Sequence, residues 1–306
     1  MSVPGAYILV VIIWSTTPLG INWSVEGVSP MTAAAMRMSL SAVIGFGCAW
    51  LWGVRLSWNK TALLSYLSAA LGIFGAMSMV YWSAIYLPSG MISVFFGLSP
   101  ILSALAAQRL GIEGRFTLVR WLALILAFGG LAQVFAHELT LGGDGGFGML
   151  ILLVAVGLFS LSGVLVKYVN APMSPVSQTI GSLVVSVPFY LLAVALLAVN
   201  GVHEFQPTNR ALGAMLYLAI CGSLLGFLCY FYVLRHLNAS SVALVTLMTP
   251  VFALLLGAWL NDEIVKVTTM AGAAFIGVGL VLYYWGDLWL ARIRGSKDKS
   301  LADQET

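Results

Sequence analysis

The chain has 306 residues, 60% of them hydrophobic and 8% charged, with a formal net charge of +3. Soluble domains carry about 25% charged residues, so this chain lacks the polar groups to cover itself in water, and lipid contact on most outward faces is the alternative. Its few basic residues sit in short loops rather than in a stripe, which argues against a nucleic-acid partner. The three cysteines, Cys48, Cys221 and Cys229, fall inside apolar runs without metal-ligand spacing and read as small hydrophobes.

A membrane helix needs about 20 apolar residues to cross about 30 Å of hydrocarbon. In chain order, ten runs meet this: 5–25, 31–53, 61–85, 89–109, 117–136, 147–168, 175–199, 209–235, 240–260 and 267–290. No Lys or Arg precedes the first run and no A-x-A site follows it, so it reads as a retained helix rather than a signal peptide. The breaks are short and carry turn or charged residues, as from Glu26 to Pro30 or from Gly53 to Lys60. Helices are required because unpaired backbone groups are costly in lipid, and the runs do not alternate as barrel strands would. The stretch 291–306 is basic and then acidic, and reads as a disordered cytoplasmic tail.

Orientation follows from the bias of Lys and Arg toward cytoplasmic loops. With the N-terminus inside, Arg55, Lys60, Arg109, Arg115, Arg120, Lys167, Arg235, Arg292, Arg294, Lys297 and Lys299 lie inside, while Arg210 and Lys266 lie outside. Arg37 falls within the second run. This bias predicts an even number of spans, both termini cytoplasmic, and a multi-pass protein of the inner (plasma) membrane.

A duplication is legible as well. Shifted by 150 residues, segment 81–130 lies on 231–280 without a gap. Pro100 then meets Pro250, Glu113 meets Glu263 and Gly129 meets Gly279. A shift near 145 brings Pro30 onto Pro175 and Trp14-Ser15 onto Phe159-Ser160. The chain therefore reads as an all-α membrane protein of ten transmembrane helices in two inverted five-helix repeats, residues 5–136 and 147–290. An odd number of spans per repeat forces the inversion. Inverted repeats are a common build of secondary transporters, with the solute site near the midplane between the halves.

These residues carry a family resemblance. Trp14-Ser15 in the first helix, the Pro30-x6-Arg37 start of the second, and the Pro100 and Pro250 helices, each followed by a loop glutamate, resemble the EamA-type members of the drug/metabolite transporter superfamily. The resemblance covers roughly residues 5 to 286. It implies ten helices and movement of small metabolites, often outward, amino acids and related compounds included. It also implies an Arg at the position of Arg37. Asn22, where many relatives carry Lys, and Phe159, where a second Trp is expected, depart from the pattern.

No catalytic constellation emerges. His137, His203 and His236 stand apart from carboxylates and cysteines at metal-ligand spacing, and no nucleophile elbow or Ser-His-Asp arrangement is present. The chain is read as a non-enzyme without cofactor or metal, whose partners are a small-molecule solute and the lipid bilayer, as a monomer or homodimer. All eleven acids lie at span ends, in loops or in the tail, so no carboxylate stands mid-span to relay protons or to anchor a cation. Arg37 either attracts a carboxylate or phosphate with a two-pronged hydrogen bond or snorkels to its nearer interface; Lys167 offers the same two readings.

Pro100 and Pro250 interrupt their helices at matching positions, leaving the carbonyls of Phe96 and Thr246 without donors. A bent helix can line a cavity with bare carbonyls, or be a packing kink satisfied by neighbours. Tyr81, Trp82 and Phe96 cluster beside the first kink, and Phe231 beside the second; they line a cavity or form an interfacial belt. Trp14, Thr17, Ser160 and Gln178 add polar groups that bind solute or join helix to helix. The expected site is thus substrate-binding, with Trp14, Thr17, Arg37, Tyr81, Trp82, Phe96, Ser160, Gln178, Phe231 and Thr246, flanked by the kinks at Pro100 and Pro250. The function expected is secondary transport of a small metabolite (an amino acid, related zwitterion or organic acid), outward, by alternating access. Multidrug or nucleoside-type efflux is the other transport reading, and a membrane sensor or lipid-modifying enzyme the alternative outside transport.

Overall fold

The computed structural model describes residues 2–112, 114, 116–140, 144–200, 205–239, 242, 245–264 and 266–302, with the side chains of 134–140, 246–248, 251, 284 and 287–302 left undescribed. Glu113, Arg115 and the side chain of Thr246 therefore lie outside the described residues.

Among the described residues, ten helical rods follow one another: α1 (Val3–Ser24), α2 (Pro30–Leu51), α3 (Lys60–Ser83), α4 (Ser89–Arg109), α5 (Leu118–Thr140), α6 (Gly145–Val169), α7 (Pro175–Val199), α8 (Asn209–His236), α9 (Val245–Leu260) and α10 (Val267–Ala302). Seven of them, α1–α4 and α6–α8, are long and apolar enough to cross a membrane. Among the described residues, apolar helix also covers Leu118–Gln133 of α5 and Val267–Tyr283 of α10, and α9 has 16 residues. Among the described residues the only extended pairing is an isolated bridge between Val28 and Phe205. The outer surface carries Val43, Trp50 and Ile125 at 70%, 77% and 64% exposure. Side chains of that size turned outward in such numbers require lipid rather than water around them.

Local sequence sets the helix starts. Ser29 and Ser174 cap α2 and α7, accepting from the backbone N–H of Thr32 (3.4 Å) and Ser177 (3.1 Å), and a proline follows each cap. Asn59 and Thr208 cap α3 and α8 in the same way, at 2.8 and 3.0 Å. Such caps satisfy donors that the first turn leaves free.

Two kinds of irregularity shape the interior. In α4 the α-helix stops at Phe96 and resumes at Ser99. Pro100 has no N–H for the Phe96 carbonyl, and the chain tightens just before it: Leu98 N–H donates to the Phe95 carbonyl at 3.0 Å. Pro250, its repeat mate, sits inside an uninterrupted α9. The second irregularity is a π-helical segment in α3, Leu71–Ala76, and another in α8, Leu218–Leu225. The 150-residue shift lays one over the other.

Helices α5 and α10 pack along each other, and glycines bring them close. A Cβ at Gly279 would stand 2.7 Å from the Ala123 carbonyl, and one at Gly130 would stand 2.6 Å from Phe275. Gly129 and Gly277 have nothing within 4 Å, so their lack of a side chain is not needed for this contact.

Candidate functional site

A cavity of about 50 Å³ lies at the centre of the bundle, lined from α1 (Trp14, Thr17, Pro18, Ile21), α2 (Arg37), α3 (Met77, Val80), α4 (Ile92, Ser93, Phe96), α6 (Phe159), α8 (Gly222, Phe227) and α9 (Thr249).

Arg37 dominates its electrostatics. The side chain is 1% exposed. Its Nε donates to Ser223 Oγ at 2.7 Å and its Nη1 to Tyr81 Oη at 3.5 Å, and the guanidinium carbon stands 6.0 Å from the Tyr81 ring centroid. Among the described residues no carboxylate pairs with it. A guanidinium has five N–H donors, and two neutral hydroxyls leave most of its charge uncompensated. Burying such a charge is costly unless something completes it. Arg37 is also held from behind: Ser41 Oγ lies 2.7 Å from the Arg37 carbonyl and 2.9 Å from that of Ala219, in the π segment of α8.

The other wall is aromatic. Trp14 packs against Tyr230, Phe159 and Phe227 at centroid distances of 5.2, 5.6 and 6.2 Å. Phe96 meets Phe159 edge-on at 5.5 Å. The cluster continues through Phe231, 5.3 Å from Tyr230 and stacked on Phe227 at 6.2 Å. Beyond Phe231 opens a second, larger cavity of about 280 Å³, lined by Ser65, Lys167, Asn170, Gln178, Phe231 and Arg235 among others. The rings of Phe227, Tyr230 and Phe231 thus stand between the central cavity and this vestibule.

The sequence-predicted residues accordingly divide. Trp14, Thr17, Arg37 and Phe96 meet at the central cavity. Tyr81 is fully buried one layer behind, reaching Arg37 through its hydroxyl. Trp82 is half-buried and packs against the core, outside the cavity lining. Ser160 faces Ser99, with hydroxyl oxygens 3.0 Å apart, and joins α6 to α4. Gln178 and Phe231 line the vestibule, where Gln178 accepts from Ser65 at 2.7 Å and donates to Ser182 at 2.9 Å. Lys167 gives its ammonium to the Leu234 carbonyl at 2.8 Å, at the end of α8, the placement that a helix C-terminus favours. Ser93 and Thr249 were not singled out in the sequence, whereas Phe227 and Tyr230 stand in the aromatic cluster that ends α8, and Phe159 aligns with Trp14, without being placed in the expected site. A lone Ser or Thr in an apolar run carries no such signal.

The two ends of the bundle differ. At the end where α1 finishes and α4 begins, the loops are tied together. Trp23 Nε1 donates to Asn261 Oδ1 (2.9 Å), Asn261 Nδ2 donates to Glu263 Oε1 (3.0 Å), and Glu263 accepts the backbone N–H groups of Ser89 (3.1 Å) and Gly90 (3.2 Å). Arg210 pairs with Glu26 and lies over the Trp23 ring at 5.5 Å. The vestibule opens at the opposite end, beside Lys167. Among the described residues no cluster of His, Cys, Asp and Glu could hold a metal ion.

These features define a polytopic helical membrane protein built around a buried, aromatic-walled cavity. The model of the EamA-like transporter family matches residues 4–136 and 146–285. The chain belongs to that family, and so to the drug/metabolite transporter superfamily. An uncharacterized transporter of Archaeoglobus fulgidus is 26% identical over 279 residues, 90% of this chain and 95% of the relative. The uncharacterized transporter YoaV of Bacillus subtilis is 24% identical over 283 residues, 90% and 94% of the two chains. One crystal structure superposes with a TM-score of 0.68 at 16% identity, covering 93% of this chain and 98% of the other; that likeness shows the fold. The protein is a multi-pass membrane transporter.

Proposed function

We propose that this chain is a secondary transporter that moves a small carboxylate-bearing metabolite, an amino acid or related zwitterion or organic acid, outward across the inner membrane. The observation that carries this reading is Arg37: a buried guanidinium, facing the central cavity, with two hydroxyls and no acid beside it. A solute carboxylate completes the site, and the aromatic wall takes the solute's body. Trp14, Thr17 and Phe96 then touch solute, and Tyr81 positions Arg37.

In this reading the ten helices are ten spans and the repeats, 5–136 and 147–290, lie inverted, with both termini cytoplasmic. Eleven cations against two by side support that orientation. It makes the Lys167 vestibule cytoplasmic and the Glu263 end external. The vestibule is then the cytoplasmic mouth and the aromatic triad the inner barrier, while the Glu263 network holds the outer barrier shut. Alternating access consists of parting one barrier as the other closes, with α4, already broken at Gly97–Leu98, as a moving element. With no carboxylate mid-span, exchange or facilitated diffusion fits better than a proton relay.

Counterflow of carboxylates in proteoliposomes tests the reading: wild type is expected to exchange them and Trp14→Ala to lose exchange at normal expression. Carboxylate exchange absent from wild type would refute it. The barrier assignment has its own test. With Cys48, Cys221 and Cys229 replaced, a Thr17→Cys variant reports access to the cavity. Adding Glu263→Ala is expected to raise its labelling by an impermeant thiol reagent from outside several-fold. Unchanged labelling would remove Glu263 from the outer barrier.

A further inference from the structure

We infer that the central cavity selects an apolar monocarboxylate, held between Arg37 and Ser93, and does not read an amine. This rests on the proposal that the cavity binds a carboxylate, and it narrows the solute class.

Ser93 is 2% exposed and its hydroxyl has no hydrogen-bond partner. That is unusual within this bundle. Hydroxyls in apolar helices ordinarily bond back one turn, as Ser15 does to Val11 (2.7 Å), Thr17 to Ile13 (2.9 Å) and Ser186 to Ser182 (2.7 Å). A buried orphan hydroxyl destabilises the protein that carries it. Asn22, Ser39 and Ser89 also hold partnerless buried atoms, but Ser93 is the one that lines the central cavity. Ser93 and Arg37 both line this one small space, so a hydroxyl without a partner and a guanidinium without a counter-charge border it together. Both requirements, an unsatisfied donor and an uncompensated cation, are met by one carboxylate.

The same inventory argues against an amine. Among its described lining residues the cavity holds one cation and no acid, which matches one negative charge and leaves an ammonium without a counter-charge. The aromatic wall is a poor substitute, because Trp14 is already packed by three rings and an ammonium needs an open ring face. A dianion is equally mismatched, since a second charge would be buried unpaired.

Two probes separate the inference from its premise, because they differ only by an α-ammonium: 3-phenylpropionate and phenylalanine. In proteoliposomes, 3-phenylpropionate is expected to bind and exchange at least about tenfold better than phenylalanine. Phenylalanine equal or better would overturn the inference and leave carboxylate transport standing; neither probe binding would overturn both. The Ser93→Ala variant gives a second readout of opposite signs. Its affinity for 3-phenylpropionate is expected to fall about tenfold, while the ligand-free protein melts at the same or a higher temperature. Unchanged affinity with a lower melting temperature would make Ser93 a packing residue and overturn its role here.

Discussion

Helices α2 and α7 start alike, with Ser29-Pro30 and Ser174-Pro175 as cap and first turn. Eight positions past the cap, α2 carries Arg37 and α7 carries Ser182. The serine closes a local ring with Gln178, accepting from its amide and donating to its carbonyl. The arginine instead crosses to Ser223 of α8 and faces the cavity. The surroundings, in contrast, are doubled. A Cβ on Gly222 in the π segment of α8 would meet Thr17 of α1, and one on Gly72, its mate in α3, would meet Ser162 of α6, with Thr17 and Ser162 matching under the 145-residue shift. Trp14 and Phe159 match in the same way and pack together in the central cluster. The duplication has supplied a near-symmetric frame, and a single charge makes it asymmetric. Under the proposed function, such a frame lets both halves open alike, and the single charge lets only one of them set what is carried.

The largest effect should come from erasing that asymmetry. Arg37→Gln keeps much of the shape and polarity but removes the charge, and carboxylate counterflow is expected to fall about a hundredfold, the scale of losing a buried charge pair. Ser182→Ala, at the matching position, should change it by less than about threefold. Equal losses in the two variants would mean that the halves share the work of recognition.

A smaller and more discriminating effect is expected at the paired glycines. A Cβ at Gly222 would stand 3.0 Å from Arg37 Nη2, and one at Gly72 would stand 2.8 Å from Ser162 Oγ. Both are crowded, but against different groups. Gly222→Ala displaces the guanidinium and should weaken carboxylate binding about tenfold. Gly72→Ala should lower stability by about 1–3 kcal/mol and leave the affinity of the folded protein unchanged. Affinity and melting temperature, measured on both variants, separate the two; a matching pattern would contradict the asymmetric reading.

Much of the frame was legible beforehand because its signals are long. A run of 20 apolar residues, a Ser-Pro helix start or a proline repeated at a fixed shift survives in the sequence as pattern. Arg37 was legible for the opposite reason: one charge in an apolar run stands out. The contributions of Ser93 and Thr249 were not legible, since neither residue type is rare there and only the fold decides which of them borders the cavity. Ser160 and Gln178 show the converse, polar residues that the sequence offered as solute ligands and that the structure engages with Ser99 and Ser65. The π segments left no readable trace. A single extra residue per turn comes from the balance of helix packing, and Gly72 and Gly222 mark the sites only in hindsight.

Those π segments provide the finest test of the comparison. Widening a turn leaves carbonyls without their usual donor, and each half supplies a hydroxyl from its neighbour. Tyr190 of α7 donates to the Ile73 carbonyl at 2.6 Å, and Ser41 of α2 lies 2.9 Å from that of Ala219. Tyr190→Phe removes only the hydroxyl, and Ser41→Ala removes one that is shared with the Arg37 carbonyl. Each should cost about 1 kcal/mol of stability. Function should split them. Tyr190 bonds to the α3 π segment rather than to the backbone of Arg37, so Tyr190→Phe is expected to leave counterflow within about twofold of wild type. Ser41 ties the α8 segment to the backbone of Arg37, so Ser41→Ala should also loosen the guanidinium and raise the KM for a carboxylate several-fold at unchanged maximal rate. If both variants behave as Tyr190→Phe should, the hydroxyls only mend the widened turns, and the position of Arg37 is fixed by Ser223 and Tyr81 alone.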